Sequence, residues 1–135
     1  MMSIVIEKHQ LPSELASMSR VEQLIDELKE KHQLPEELYG NLLVATTEAV
    51  NNAIKHGNRM QKEKTFDLQF EFSDVEFCVI VKDQGTGFDY TNVPDPTLPE
   101  NIEKPDGRGI FIMQNLSDEV DFEDEGRLVK LKFNR

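Results

Sequence analysis

The segment "TTEAVNNAIKHGN", residues 46–58, places one carboxylate and two adjacent carboxamides within a predicted helix. At about 100° per residue, the helix has one polar stripe, which carries Glu48, Asn51, Asn52 and Lys55. Such spacing is also typical of the solvated face of an ordinary amphipathic helix. Asn is a modest helix former, however, because its amide competes for backbone groups. Two successive asparagines therefore indicate that a requirement other than helix formation selects the amides.

Glu48 and Asn52 have the chemistry of a nucleotide site. A carboxamide oxygen can complete the coordination of Mg²⁺ without adding charge that repels phosphates, so we predict that Asn52 is a metal ligand. Glu48 lies one turn earlier on the same stripe and could accept a proton from an attacking hydroxyl or water as general base. Lys55 completes the set of nucleotide-binding residues predicted on this helix.

Two glycine-containing segments could supply the rest of the site. In "DQGTGF", Asp83 directly follows a predicted strand, so its oxygens could accept a hydrogen bond from the exocyclic amine of adenine. Gly85 and Gly87 would let the base approach the backbone. In "PDGRGIF", the glycines come just before a predicted helix, whose free amides and dipole favour phosphate. The binding residues predicted in this second segment are Gly107, Arg108, Gly109 and Ile110.

Hydrophobic periodicity predicts the elements that carry these residues. Apolar residues at helical spacing, including Leu15, predict a first helix from an N-cap at Ser13 to about His32. A second helix is predicted from Pro35 to Gly57, and a short third one from about Gly109 to Leu116. Predicted strands cover residues 3–8, 66–72 and 75–81, followed by a hairpin in 119–133 that turns at Gly126. The alternation in the second and third strands leaves one face of the sheet wet.

Length, charge and cysteine content limit the function classes. A chain of 135 residues fits one domain, predicted over 1–135, and a net charge of −11 disfavours nucleic acid as a partner. The single cysteine, Cys78, lies in an apolar run predicted to be core and fits a reducing compartment. No segment resembles a membrane span or a leader, so we expect a cytoplasmic protein. The glycine- and proline-rich segment after Asp83 predicts a long loop, interpreted as a lid over residues 89–106.

The ordered set "EAVNNAIKHG", "DQGTGF" and "DGRGI" resembles the N, G1 and G2 boxes of the Bergerat-fold (GHKL) ATPases. It is most similar to the anti-sigma-factor serine/threonine kinases. The resemblance implies an α+β fold, a two-layer sandwich with helices on one face of a mixed, mainly antiparallel sheet. It also implies that Glu48 is the base, Asn52 the Mg²⁺ ligand and Asp83 the adenine contact, with ATP-loop glycines at Gly85, Gly87, Gly107 and Gly109.

The activity implied by the resemblance is an ATP-dependent serine/threonine protein kinase with ATP and Mg²⁺ as cofactors. Its implied partners are an anti-sigma-factor antagonist, which it phosphorylates, and a sigma factor, which it could sequester. Two alternatives stay open, a nucleotide-gated binding module without turnover and a histidine-kinase-type ATPase domain. Family members are commonly dimers, and the N-terminal helix and the sheet edge are both candidates for pairing two copies.

Overall fold

A computed structural model of the chain describes residues 4–85 and 105–135. In chain order, the described strands and α-helices are β1 (Val5–Pro12), α1 (Ser17–His32), α2 (Glu36–Asn52), β2 (Thr65–Phe72), β3 (Glu76–Lys82), α3 (Pro105–Leu116), β4 (Glu119–Glu123) and β5 (Leu128–Asn134). Gly87 and nearly all of the predicted lid segment lie outside the described residues.

The five strands form one sheet in the order β1-β2-β3-β5-β4, and each of the four pairings is antiparallel. The predicted mainly antiparallel sheet is confirmed. The predicted start of the third strand at Val75 is wrong, because Val75 lies in the β2–β3 turn and is 53% exposed. Ser73 closes that turn by donating its N–H to the carbonyl of Glu76, so strand pairing resumes only at Glu76.

The core lies on the face of the sheet that the helices cover. Side chains alternate across a strand, so every second residue of the central strands points to this face. The largest of these side chains are fully buried, namely Phe66, Phe70, Phe77 and Phe133. They pack in one cluster with apolar residues of α1 and α2 that include Leu24, Ile25, Leu28, Leu42 and Val50. The predicted two-layer α/β sandwich is therefore confirmed.

Cys78 is buried, as predicted, but it alternates with the core residues Phe77 and Val79 and so lies on the other face of the sheet. Its register partners are Glu71 and Lys132 on the neighbouring strands. Burial raises the pKa of the Cys78 thiol. In the described residues, none of the helices is long and apolar enough to cross a membrane.

The predicted N-cap at Ser13 is wrong. Helix α1 begins at Ser17, whose hydroxyl donates to the carbonyl of Pro12 at 2.7 Å and closes the turn after β1. Ser13 is fully buried and its hydroxyl accepts a hydrogen bond from Asn58 instead. Leu15, predicted as part of the apolar stripe of this helix, precedes it and is 50% exposed.

Candidate functional site

Two residues of the polar stripe of α2, Glu48 and Asn52, face helix α3. Gly109 of α3 approaches the stripe so closely that a Cβ built on it would lie 2.9 Å from Asn52 Nδ2 and 3.2 Å from Glu48 Oε2. A side chain at position 109 would therefore push the Asn52 carboxamide aside. The structure brings Glu48, Asn52 and Gly109 together, as the sequence predicts.

Helix α2 ends in a π-turn, Ala53–Gly57, which widens the last turn of the helix. The N–H of Asn58 donates to the carbonyl of Ala53 at 2.8 Å. Such π-turns are frequent at functional sites. The turn brings Gly57 against the residue after β3, since a Cβ on Gly57 would lie 2.3 Å from Asp83 Cγ. Only glycine fits at position 57 without displacing this carboxylate.

Asp83 is held at the end of β3 by backbone contacts on both sides. Its N–H donates to the carbonyl of Arg127 at 2.9 Å, and its Oδ1 accepts the N–H of Gly85 at 2.8 Å. Burial raises the pKa of the Asp83 carboxyl, whereas the Gly85 hydrogen bond and the Arg127 charge lower it. Gly85 packs backbone to backbone on Gly57, because a Cβ at 85 would lie 2.0 Å from the Gly57 carbonyl oxygen.

A pocket of about 230 Å³ opens between the end of α2, α3 and the ends of the central strands. Its apolar walls are Ala49, Ala53, Val81, Met113, Phe122 and Val129. Its polar lining consists of Asn52, His56, Gly57, Arg59, Asp83, Gly126 and Arg127. Apolar walls with a partly buried carboxylate can hold a flat aromatic base that donates a hydrogen bond from an exocyclic amine.

A family model for the histidine kinase-like ATPase domain matches residues 11–133. The chain belongs to this family. ATP is therefore the nucleotide that membership implies.

Two groups of relatives resemble this ATPase domain. Over 84 residues the chain is 36% identical to the serine-protein kinase RsbW of Staphylococcus epidermidis, and the alignment covers 57% of this chain and 53% of that protein. The RsbW of Staphylococcus aureus strain Newman is 31% identical over 84 residues with the same coverage. The chain thus spans about half the length of the curated relatives that it matches.

A solved structure of the RsbU and RsbW domains of a Mycobacterium tuberculosis protein has the same fold. It matches with a TM-score of 0.62 at 12% identity, covering 97% of this chain and 32% of that one. The likeness in shape extends over almost the whole ATPase domain, and it supports the predicted Bergerat-type fold.

Some of the predicted binding residues do not line the pocket. Lys55 and Arg108 are exposed and are not among the described residues that line it. Ile110 is 1% exposed and packs into the core, so only its backbone could face a nucleotide. The predicted position of the second glycine pair before a helix is wrong, because α3 begins at Pro105. Proline is favoured at the first helical position, and it places Gly107 and Gly109 inside the helix.

The sequence predictions missed several residues that line the pocket. Arg59 follows the π-turn, Phe122 lies on β4, and Gly126 and Arg127 form the β4–β5 turn. The last two could have been found only from the strand order. Because β5 pairs with β3, its first residues lie beside the end of β3, where Asp83 is.

The donor set suits Mg²⁺ held mainly by a substrate. Among the described residues, no group of three or more His, Cys, Asp and Glu side chains could hold a metal ion by itself. Asn52 offers an oxygen ligand in the lining of the pocket, and Mg²⁺ commonly binds one or two protein oxygens together with phosphates and water. The residues present therefore fit a nucleotide-borne Mg²⁺.

Proposed function

We propose that the protein is an ATP-dependent serine/threonine protein kinase of the anti-sigma type, which phosphorylates an anti-sigma-factor antagonist in the cytoplasm and can sequester a sigma factor. The observation that carries the proposal is the adjacency of Glu48 and Asn52 against Gly109, beside an apolar pocket with Asp83 in its lining. The serine-protein kinase relatives support the reaction class. The regulatory role rests on the resemblance of the three sequence boxes.

In this proposal, adenine lies between the apolar walls of the pocket and donates its exocyclic amine to Asp83. An ionised carboxylate only accepts hydrogen bonds, so Asp83 selects a base with a donor at this position. Asn52 is the residue that would hold Mg²⁺, whose charge would neutralise the phosphates. Gly109 leaves the space in front of Asn52 that a side chain would fill.

Glu48 is the proposed general base. The hydroxyl oxygen of a serine or threonine from the partner protein attacks the γ-phosphorus of ATP while its proton passes to the Glu48 carboxylate. The bond between the γ-phosphorus and the bridging oxygen breaks, and ADP leaves with that electron pair. Phosphoryl transfer depends mainly on positioning and charge neutralisation, and the base contributes to positioning by orienting the hydroxyl.

The test is the nearly isosteric substitution Glu48→Gln. It removes the base but not the pocket, so we expect MgATP affinity close to wild type and phosphoryl transfer lowered on the order of 10²-fold or more. The assay uses radiolabelled ATP and a partner captured from native cytoplasm, scored for acid-stable phosphoserine or phosphothreonine. Glu37→Gln is the matched control, since Glu37 is exposed in the first turn of the same helix.

Three results would contradict the kinase. Equal labelling of the partner by wild type and Glu48→Gln would show that Glu48 is not the general base, and the kinase assignment would then be given up. Binding of ATP without labelling of any partner would favour the alternative of a nucleotide-gated binding module without turnover. Acid-labile phosphate on histidine would favour the histidine-kinase alternative.

A further inference from the structure

Asn58, the residue after the π-turn, is a fully buried polar side chain that the proposed mechanism does not use. Its Nδ2 donates to Ser13 Oγ at 2.6 Å and to the Thr65 carbonyl at 2.9 Å. Its Oδ1 accepts the N–H of Gln84 at 2.7 Å. A carbonyl only accepts and a backbone N–H only donates, so these partners fix the orientation of the amide. A buried amide satisfied at both ends holds its neighbours in one arrangement.

A second side chain closes a ring of hydrogen bonds. Gln84 Oε1 accepts the N–H of Thr65 at 2.9 Å, so Asn58, Thr65 and Gln84 are joined pairwise. We call these three residues the amide ring. The last register pair of β2 and β3 is Asp67 with Lys82, so Thr65 and Gln84 lie beyond the β2–β3 ladder, while Thr65 still pairs with β1. The amide ring therefore joins the end of α2 to two chain segments where the pairing of β2 with β3 has ended.

The amide ring includes Gln84, the residue that directly follows the proposed adenine contact, Asp83. Gln84 stands between Asp83, which lines the pocket, and Gly85, which packs on the carbonyl of Gly57. Holding the Gln84 N–H at Asn58 fixes this tripeptide against the π-turn. We infer that Asn58 is a positioning residue. Through the amide ring it holds Asp83 in place, and in this way it sets the selectivity of the pocket for adenine. This inference rests on the proposed ATP site.

A positioning role differs from a structural one in what it changes. An ionised Asp83 accepts from the amine of adenine but meets an oxygen acceptor when the base is hypoxanthine, so a well-placed carboxylate discriminates ATP from ITP. If the ring only stabilised the fold, its loss would lower the unfolding free energy and leave this discrimination intact. If it positions Asp83, the ratio of ATP to ITP affinity must fall.

The experiment measures the dissociation constants of MgATP and MgITP by isothermal titration for the full chain and four variants. Asn58→Ala removes the centre of the ring, and we expect its ATP/ITP affinity ratio to fall about tenfold, as for loss of one well-placed hydrogen bond. Gln84→Met removes the acceptor for Thr65 at similar size and should lower the ratio less. Gln84→Glu keeps that acceptor and should behave like wild type.

Ile25→Val is the control for destabilisation alone, because Ile25 is fully buried in α1 and contributes nothing to the ring. It should keep the wild-type ratio. Wild-type ratios in both Asn58→Ala and Gln84→Met would overturn the inference while leaving the ATP site in place. Should Asn58→Ala not fold, Gln84→Met decides alone, since Gln84 is exposed. Failure of the wild type to bind ATP would reject the proposed function, and the positioning role with it.

Discussion

The two ends of the sheet's core face are built from opposite kinds of residue. At the β2–β3 turn, the aromatic end consists of His32, Phe72 and Phe77, with ring centroids 4.2 Å apart for the two phenylalanines and 4.3 Å for His32 and Phe72. At the other end of the same strands, the pocket end has Gly57 and Gly85 in backbone contact. Large rings fill one end, whereas the other combines close backbone approach with buried polar groups.

Because of this difference, we expect the aromatic end to contribute mainly to folding stability and the pocket end mainly to ligand binding. The aromatic end excludes water with large apolar side chains, the usual source of folding free energy. The pocket end keeps Asp83 partly buried, and burial raises the pKa of this carboxyl, so its charge at neutral pH costs stability. Substitutions at the two ends should therefore change different measurements.

The largest expected effect is at the aromatic end. Phe77 is fully buried, and Phe77→Ala should lower the unfolding free energy by about 3–5 kcal/mol through lost burial and a cavity. The change lies far from the pocket along β3, so MgATP affinity of the folded fraction should stay at the wild-type value. Urea denaturation and isothermal titration give the two quantities. Loss of affinity in folded protein would break the proposed separation.

A smaller effect on stability, with a clear effect on binding, is expected at the pocket end. Gly85→Ala places a Cβ 2.0 Å from the Gly57 carbonyl oxygen, so backbone must move and Asp83 with it. We expect a loss of about 1–3 kcal/mol in stability and of at least about tenfold in MgATP affinity. Gly40→Ala on α2 is the matched control. Nothing lies within 4 Å of its added Cβ, so it should bind ATP normally and gain about 0.5–1 kcal/mol.

The pattern of apolar residues was enough to predict the buried phenylalanines of the aromatic end, but it predicted neither the packing of His32 on Phe72 nor the pocket end. Strict alternation from Phe66 to Phe72 identifies a strand with one buried face whatever its neighbours are. Ser13 shows the contrast, since its type and place suggest an N-cap. Its hydroxyl is instead bound by Asn58, 45 residues later in the chain. Local propensity cannot reveal such a distant partner.

The candidate site likewise contains residues that the sequence could predict and residues that it could not. Glu48 and Asn52 could be paired from helical spacing alone, and Asp83 could be placed at the end of a strand. Arg127 could not be placed, because its position beside Asp83 follows from the pairing of β3 with β5. The start of α3 at Pro105 also differs from the predicted one, since the propensity of glycine against helices was outweighed by packing on α2.

The smallest expected effect is a pH dependence at the aromatic end. Burial lowers the pKa of His32 below the ordinary value of 6.5, with further lowering by Lys31 and Arg135 and an opposing effect of Glu7. As the pH falls through about 6.5, the unfolded chain therefore takes up a proton before the folded one does, and the unfolding free energy decreases. Below the folded-state pKa the loss stops.

The comparison of wild type with His32→Phe between pH 8 and about 5.5 isolates this contribution. The variant should lose less stability than wild type over the same range, by urea denaturation at each pH. An identical pH dependence in both proteins would show that the His32 ring titrates alike in the folded and unfolded chains.

The central claim, that Asp83 recognises the base of ATP, is tested most directly by isothermal titration of MgATP into wild type and Asp83→Asn. The asparagine keeps an oxygen for the Gly85 N–H but loses the charge, and a hydrogen bond to a charged group contributes about 1.5–3 kcal/mol. We predict that wild type binds MgATP and that Asp83→Asn binds at least about tenfold more weakly while unfolding at no lower urea concentration. Equal MgATP affinity of the two folded proteins would contradict the account.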